Sequence, residues 1–176
     1  MLQNRGTTMS EMVEAYSSPT TVRQLPNEVL LGEVARMLAE GRDVVVVSKG
    51  RSMLPFIRGG IDRVMLRKLD RVKVGDIVLA FVDGRFVLHR VVAISADELV
   101  LMGDGNINGV EHALLENVAG TVVEIITPQN RHRKPANGWL WRKALPLRKY
   151  LLKIYRKWDK LRASSRVARP EVPRQK

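Results

Sequence analysis

The pair Asp83-Gly84, set between Phe81-Val82 and Phe86-Val87, constrains this chain more than any other feature. Two residues that tolerate positive φ, flanked by apolar and aromatic residues, specify a tight β-hairpin. The same grammar extends on both sides. Strands are predicted over 44–48, 62–67, 76–82, 85–94, 98–102 and 118–126. Turn signals separate them: Gly59-Gly60, Val74-Gly75-Asp76, Ala96-Asp97 and Gly103-Asp104-Gly105. Short strands at such spacing predict a mainly β, coiled antiparallel domain. No internal repeat is visible.

Helices are expected only at the ends. Asn27 is a suitable cap for a helix from Glu28 to about Glu40, ended by Gly41. Val29, Leu30, Val34, Met37 and Leu38 share one face of it, which should pack on the sheet. Pro146 suits the first turn of a C-terminal helix to about Ala163. Leu147, Tyr150, Leu151, Ile154, Tyr155, Trp158 and Leu161 fall on one stripe of that helix, with basic residues opposite. The division expected is a flexible segment 1–26, a domain with its leading helix over 27–127, a basic linker and amphipathic helix over 128–163, and a disordered tail 164–176.

Charge is divided as sharply as structure. Residues 131–176 carry 16 Lys and Arg against 2 Asp and Glu, whereas residues 1–130 carry 14 against 16. The net charge of +12 therefore belongs to the tail. The absence of cysteine excludes disulfides and thiolate metal sites. His112 and His132 have no partner at ligand spacing, so neither metal nor cofactor is expected. No apolar run reaches the roughly 18–20 residues that span a bilayer, and the N-terminus has no signal-peptide core. A cytoplasmic or peripherally membrane-associated protein is expected.

Chemistry concentrates at Gly50-Arg51-Ser52-Met53-Leu54-Pro55, which follows the apolar run Val44–Val47. A serine between a strand end and a turn can aim its hydroxyl into a cleft, with backbone N–H groups beside it for an oxyanion. This G-x-S-M-x-P stretch resembles the nucleophile box of type I signal peptidases, a superfamily shared with the self-cleaving SOS-repressor peptidases. Three further stretches resemble the family's later boxes in order: Val74-Gly75-Asp76-Ile77-Val78, Val87-Leu88-His89-Arg90-Val91-Val92 and Gly103-Asp104-Gly105-Asn106. The resemblance covers about residues 44–126.

The resemblance implies a coiled β-domain of that type and a serine endopeptidase acting on a precursor or leader peptide. Ser52 would be the nucleophile. His89 stands where the common bacterial enzymes have a lysine base, as in the Ser-His subclass of archaea and the endoplasmic reticulum. A neutral imidazole can take the serine proton near pH 7. Asp104, matching the acidic residue of the G-D-x-N box, is expected to orient His89. Asp76 is expected to cap a turn, Arg90 to be structural or a surface charge, and Met53 to pack beneath the site.

The alternatives are a catalytically silent β-domain that binds membrane or nucleic acid, and a self-cleaving repressor-type peptidase. Against the latter, one clear N-terminal helix is too little for a helix-turn-helix domain, and Ala119-Gly120 follows the catalytic boxes instead of preceding them. Beyond the peptide substrate, the partner expected is an anionic membrane surface meeting residues 139–162, where Trp, Tyr, Lys and Arg are combined. Nucleic acid would use the charge but not the aliphatic residues.

Overall fold

The computed structural model describes residues 27–167. The expectations for 1–26 and for 168–176 lie outside them. A helix α1 (Asn27–Ala39) precedes β1 (Val44–Val47), β2 (Arg63–Arg67), β3 (Ile77–Val82), β4 (Arg85–Ser95), β5 (Glu98–Met102), β6 (Glu111–Leu114), β7 (Val118–Ile126) and β8 (His132–Arg133). Two helices close the chain, α2 (Trp139–Lys143) and α3 (Leu145–Val167). The last helix thus runs past Ala163, and residues 164–167 are helical where a disordered tail was expected. The short β6, β8 and α2 were not among the expected elements.

All strand pairs are antiparallel, in the order β1-β2-β7-β3-β4-β5-β6, with β8 on β7. The sheet curls into a half-barrel. Register shifts at Met65/Leu66, Leu79/Ala80 and Val91/Ala93 mark irregularities of the kind that bend strands. The β3–β4 turn has φ of 47° at Asp83 and 78° at Gly84, the two positive values the hairpin signal requires.

The strand β3 shows why the sheet coils. All of its residues but Phe81 are buried, on both faces, so it reads as a continuous apolar run. Ile77 and Leu79 join a core made with β1, β2, β7 and Val34 and Leu38 of α1. Val78, Ala80 and Val82 face the other way, into a core with Val87, Val91, Leu99, Leu101 and Ala113. The strand β2, between β1 and β7, instead alternates, with Val64 and Leu66 inward and Arg63 and Arg67 outward.

Leu38 is fully buried and seats against Gly120 in the middle of β7. A Cβ at Gly120 would lie 2.9 Å from a Leu38 methyl and 3.2 Å from the Arg67 carbonyl oxygen, so this glycine admits α1 to the sheet. No helix among the described residues is long and apolar enough to cross a membrane.

Candidate active site

The Ser52 turn leaves β1 and folds back on itself over residues 51–57. The N–H groups of Phe56 and Ile57 both donate to the Met53 carbonyl at 3.0 Å, and the Leu54-Pro55 peptide is cis. Met53, Leu54 and Ile57 are buried, which fixes the turn from below, as expected for Met53. Ser52 remains half-exposed. Its hydroxyl, its backbone N–H and that of Met53 make no hydrogen bond to any described residue. Two adjacent free donors beside a free hydroxyl have the chemistry of an oxyanion site.

A second turn, Gly103–Asn106, holds the first. The Gly105 N–H donates to the Ser52 carbonyl at 2.6 Å. A Cβ at Gly105 would fall 2.5 Å from the Arg51 carbonyl oxygen, so no other residue lets the two backbones approach this closely. This second turn follows Met102, which pairs with Arg90 of β4, so the Ser52 turn borders β4 beside the end of β5.

Asp104 anchors the second turn, and its partner is Arg90. The guanidinium donates from Nε to Oδ1 at 2.8 Å and from Nη2 to Oδ2 at 2.7 Å, a bidentate pair with both residues almost wholly buried. The remaining Nη1 donates to the carbonyls of Gly75 and Ala136 at 2.6 and 2.7 Å, and the group lies over the Phe56 ring. Arg90 is thus structural. The expectation that Asp104 orients His89 is corrected: both carboxylate oxygens are committed to Arg90. Strand alternation explains the outcome, since Arg90 and His89 emerge on opposite faces of β4.

His89 lies opposite Val78, on the face shared with Val87 and Val91, and is buried. Its Nδ1 meets the Glu111 carboxylate at the start of β6. Arg85 also donates to Glu111, at 2.6 Å, completing an Arg85–Glu111–His89 row. Glu111 therefore occupies the position for which Asp104 was expected. Sequence reasoning missed it because β6 is four residues long and mixes polar with apolar side chains. The available signal was a carboxylate opening a strand after Gly109, within reach of a predicted neighbour. Ser52 and His89 border the same stretch of β4, but no hydrogen bond joins them.

The other expected roles are simpler. Asp76 caps its turn, accepting the Lys73 N–H at 2.8 Å. His112 pairs with Glu98 at 2.6 Å and His132 with Glu124 at 2.9 Å. Among the described residues no three His, Asp or Glu side chains converge as metal ligands.

The C-terminal helices grip the second turn from behind. Trp141 Nε1 donates to the Asp104 carbonyl at 2.8 Å, Arg156 to that of Gly105 at 3.1 Å, and Arg148 to that of Asn106 at 3.4 Å. Trp141 also meets Phe56 edge-on, with centroids 5.9 Å apart. Arg148 is buried beneath α3, its guanidinium over the Trp141 ring. Burial lowers its pKa; Asp104 opposes that shift and Arg90 adds to it.

Beside the Ser52 turn runs a groove of about 90 Å³. Val46, Val47, Ser48 and Lys49 form one wall, and Leu79, Phe86 and Leu88 the other. The strand β1 is an end strand of the sheet, paired only with β2, and Val47 is exposed. No protein-family model matches the chain, and no curated protein matches it.

Proposed function

We propose that the chain is a serine endopeptidase of the signal-peptidase type, with Ser52 as nucleophile, His89 as general base and Glu111 as the residue that orients it. The observation that carries the reading is the Ser52 turn itself. A half-exposed serine lies on a rigidly held turn beside two free N–H groups, and the neighbouring strand carries a histidine whose Nδ1 is already held by a carboxylate. That leaves Nε2 to accept a proton.

The chemistry follows from those roles. Ser52 Oγ attacks the scissile carbonyl while His89 Nε2 takes its proton, and the oxyanion faces the N–H groups of Ser52 and Met53. The imidazolium then protonates the leaving amine, and water releases the acyl group by the same steps in reverse. This mechanism requires a serine–imidazole contact that forms only with substrate bound, a contact apo geometry commonly leaves open. An extended peptide would add to the open edge of β1, with a side chain in the groove between Val46 and Leu88.

Self-cleavage is disfavoured because Ala119-Gly120 lies inside β7, between β2 and β3. A strand interior cannot reach Ser52 without dismantling the sheet. The silent β-domain is the reading in which Ser52 never reacts.

A serine-directed acylating probe tests this. The intact chain should be labelled at Ser52. Ser52→Ala should abolish labelling and lower peptide cleavage on the order of 10³-fold or more. Glu111→Gln should slow both by about 10²–10⁴-fold with the fold retained. An unlabelled intact chain sinks the peptidase. A Glu111→Gln chain as fast as the intact one removes Glu111 from the mechanism.

A further inference from the structure

The helix α3 docks on the domain by an unusual face. Its buried residues are Arg148 and Leu152, 2% and 1% exposed, with Arg156 half-buried one turn on. These positions lie about a third of a turn from the stripe Leu147, Tyr150, Leu151, Ile154 and Trp158. These five side chains are exposed, Ile154 at 67% and Leu147 at 60%, whereas Tyr155 of the expected stripe is half-buried. Trp139 and Leu140 of α2 are exposed as well. Docking and outward display of the apolar stripe are therefore compatible, because they use different sides of the helix.

The third side is basic. Lys149, Lys153 and Lys157 recur at i, i+4 and i+8, and all three are exposed. From Arg131 to Trp158 the chain contains no Asp or Glu, so no carboxylate on this stretch offsets them. An apolar stripe with a tryptophan and a tyrosine, flanked by a lysine row and preceded by the exposed Trp139 of α2, is matched by a surface whose interior is apolar and whose boundary is anionic.

We propose that this face of α2 and α3 binds the surface of an anionic lipid bilayer, with α3 lying in its plane. The stripe enters the boundary between headgroups and acyl chains, and the lysine stems bend so that their ammonium groups reach lipid phosphates. The domain rides on the bilayer through Arg148, Leu152 and Arg156. Since Trp141, Arg148 and Arg156 hold the carbonyls of residues 104–106, the turn that carries Ser52 is fixed relative to the lipid. The binding itself does not depend on the peptidase reading.

Vesicle co-sedimentation of the full chain tests it, using phosphatidylcholine vesicles with and without phosphatidylglycerol. The intact chain should sediment with the anionic vesicles and release as salt rises. Leu147→Glu with Ile154→Glu should weaken binding at least 10-fold while leaving thermal unfolding unchanged, since both side chains are exposed. Replacing Lys149, Lys153 and Lys157 by Gln should weaken binding to anionic vesicles on the order of 100-fold. Failure of the intact chain to sediment overturns the proposal, as does equal sedimentation of the double Glu variant. A dimer in solution that this variant abolishes, without lipid binding, would assign the stripe to a second copy. Retention of an oligonucleotide by the lysines without lipid binding would assign the face to nucleic acid, and either result overturns the bilayer.

Discussion

The helices α1 and α3 are both amphipathic, and the molecule uses them in opposite ways. The first presses Val34 and Leu38 into the main core and reaches the sheet over Gly120. The second rests on arginine. Its contacts run from the guanidinium groups of Arg148 and Arg156, joined by the Trp141 indole of α2, to backbone carbonyls of the Gly103–Asn106 turn, with Leu152 as its deepest apolar residue. The apolar stripe is turned away. An apolar stripe therefore identifies a face that avoids water, and does not by itself identify the face that docks on the protein. The deciding factor is what the neighbouring surface offers. The inner side of the sheet offers Leu79, Val122 and Ile125, whereas the 103–106 turn offers carbonyl oxygens.

The largest expected difference between the helices is in stability. Leu38→Ala opens a cavity in a closed core and should cost about 2–5 kcal/mol. Ile154→Ala removes a side chain that contributes little to folding and should stay within about 0.5 kcal/mol. Urea unfolding of the two variants measures both. Comparable losses would mean that α3 buries its stripe against the protein, which would undo the contrast.

A smaller effect should follow at the polar joint. Arg148→Met keeps much of the stem but removes the donors to Asn106 and Trp141, leaving those carbonyls without their partner. The expected cost is about 1–3 kcal/mol, confined to α3 and the turn it grips. Amide exchange should quicken over residues 145–158 while the strands β2, β3 and β7 keep their protection. Uniform loss of protection would show instead that the helix and sheet form one cooperative unit.

How far each region could be read from sequence follows the same division. The strands β2 to β5 and β7 obey local rules: apolar runs, Asp83-Gly84, and glycines at turns. Their expected bounds agree with the structure within a residue or so. The roles of His89 and Asp104 depended on parity along β4, where one step moves a side chain to the other face. Choosing between Arg90 and His89 as Asp104's partner needed the pairing of β4 with β5, which motif spacing does not contain. Glu111 was hidden for a related reason, because it belongs to a short strand recognisable only beside β5. The stripe on α3 was legible residue by residue. Its outward orientation was not, since that depends on carbonyls some forty residues away in the chain.

The smallest effect concerns pH, and it separates the two regions electrostatically. Asp62, at the entry to β2, is fully buried. Burial pushes its pKa up, but Arg58 overcomes this through its guanidinium and backbone N–H, and the carboxyl titrates below the usual aspartate range. A folded pKa below the unfolded one stabilises the protein above the unfolded value, about 4 for aspartate, and this is lost as pH falls through the folded value. Asp62→Asn removes that dependence. The gap in thermal midpoint between the intact chain and this variant should be widest near pH 6 and close as acid protonates Asp62, with a swing on the order of 1 kcal/mol. The α3 joint, made to backbone carbonyls that do not titrate, should not share this loss. Amide protection of residues 145–158, relative to the domain, should hold between pH 6 and pH 4 after correction for intrinsic exchange. A gap that stays constant with pH would remove Asp62 from the acid response, and early loss of α3 protection would show that its joint depends on carboxylates after all.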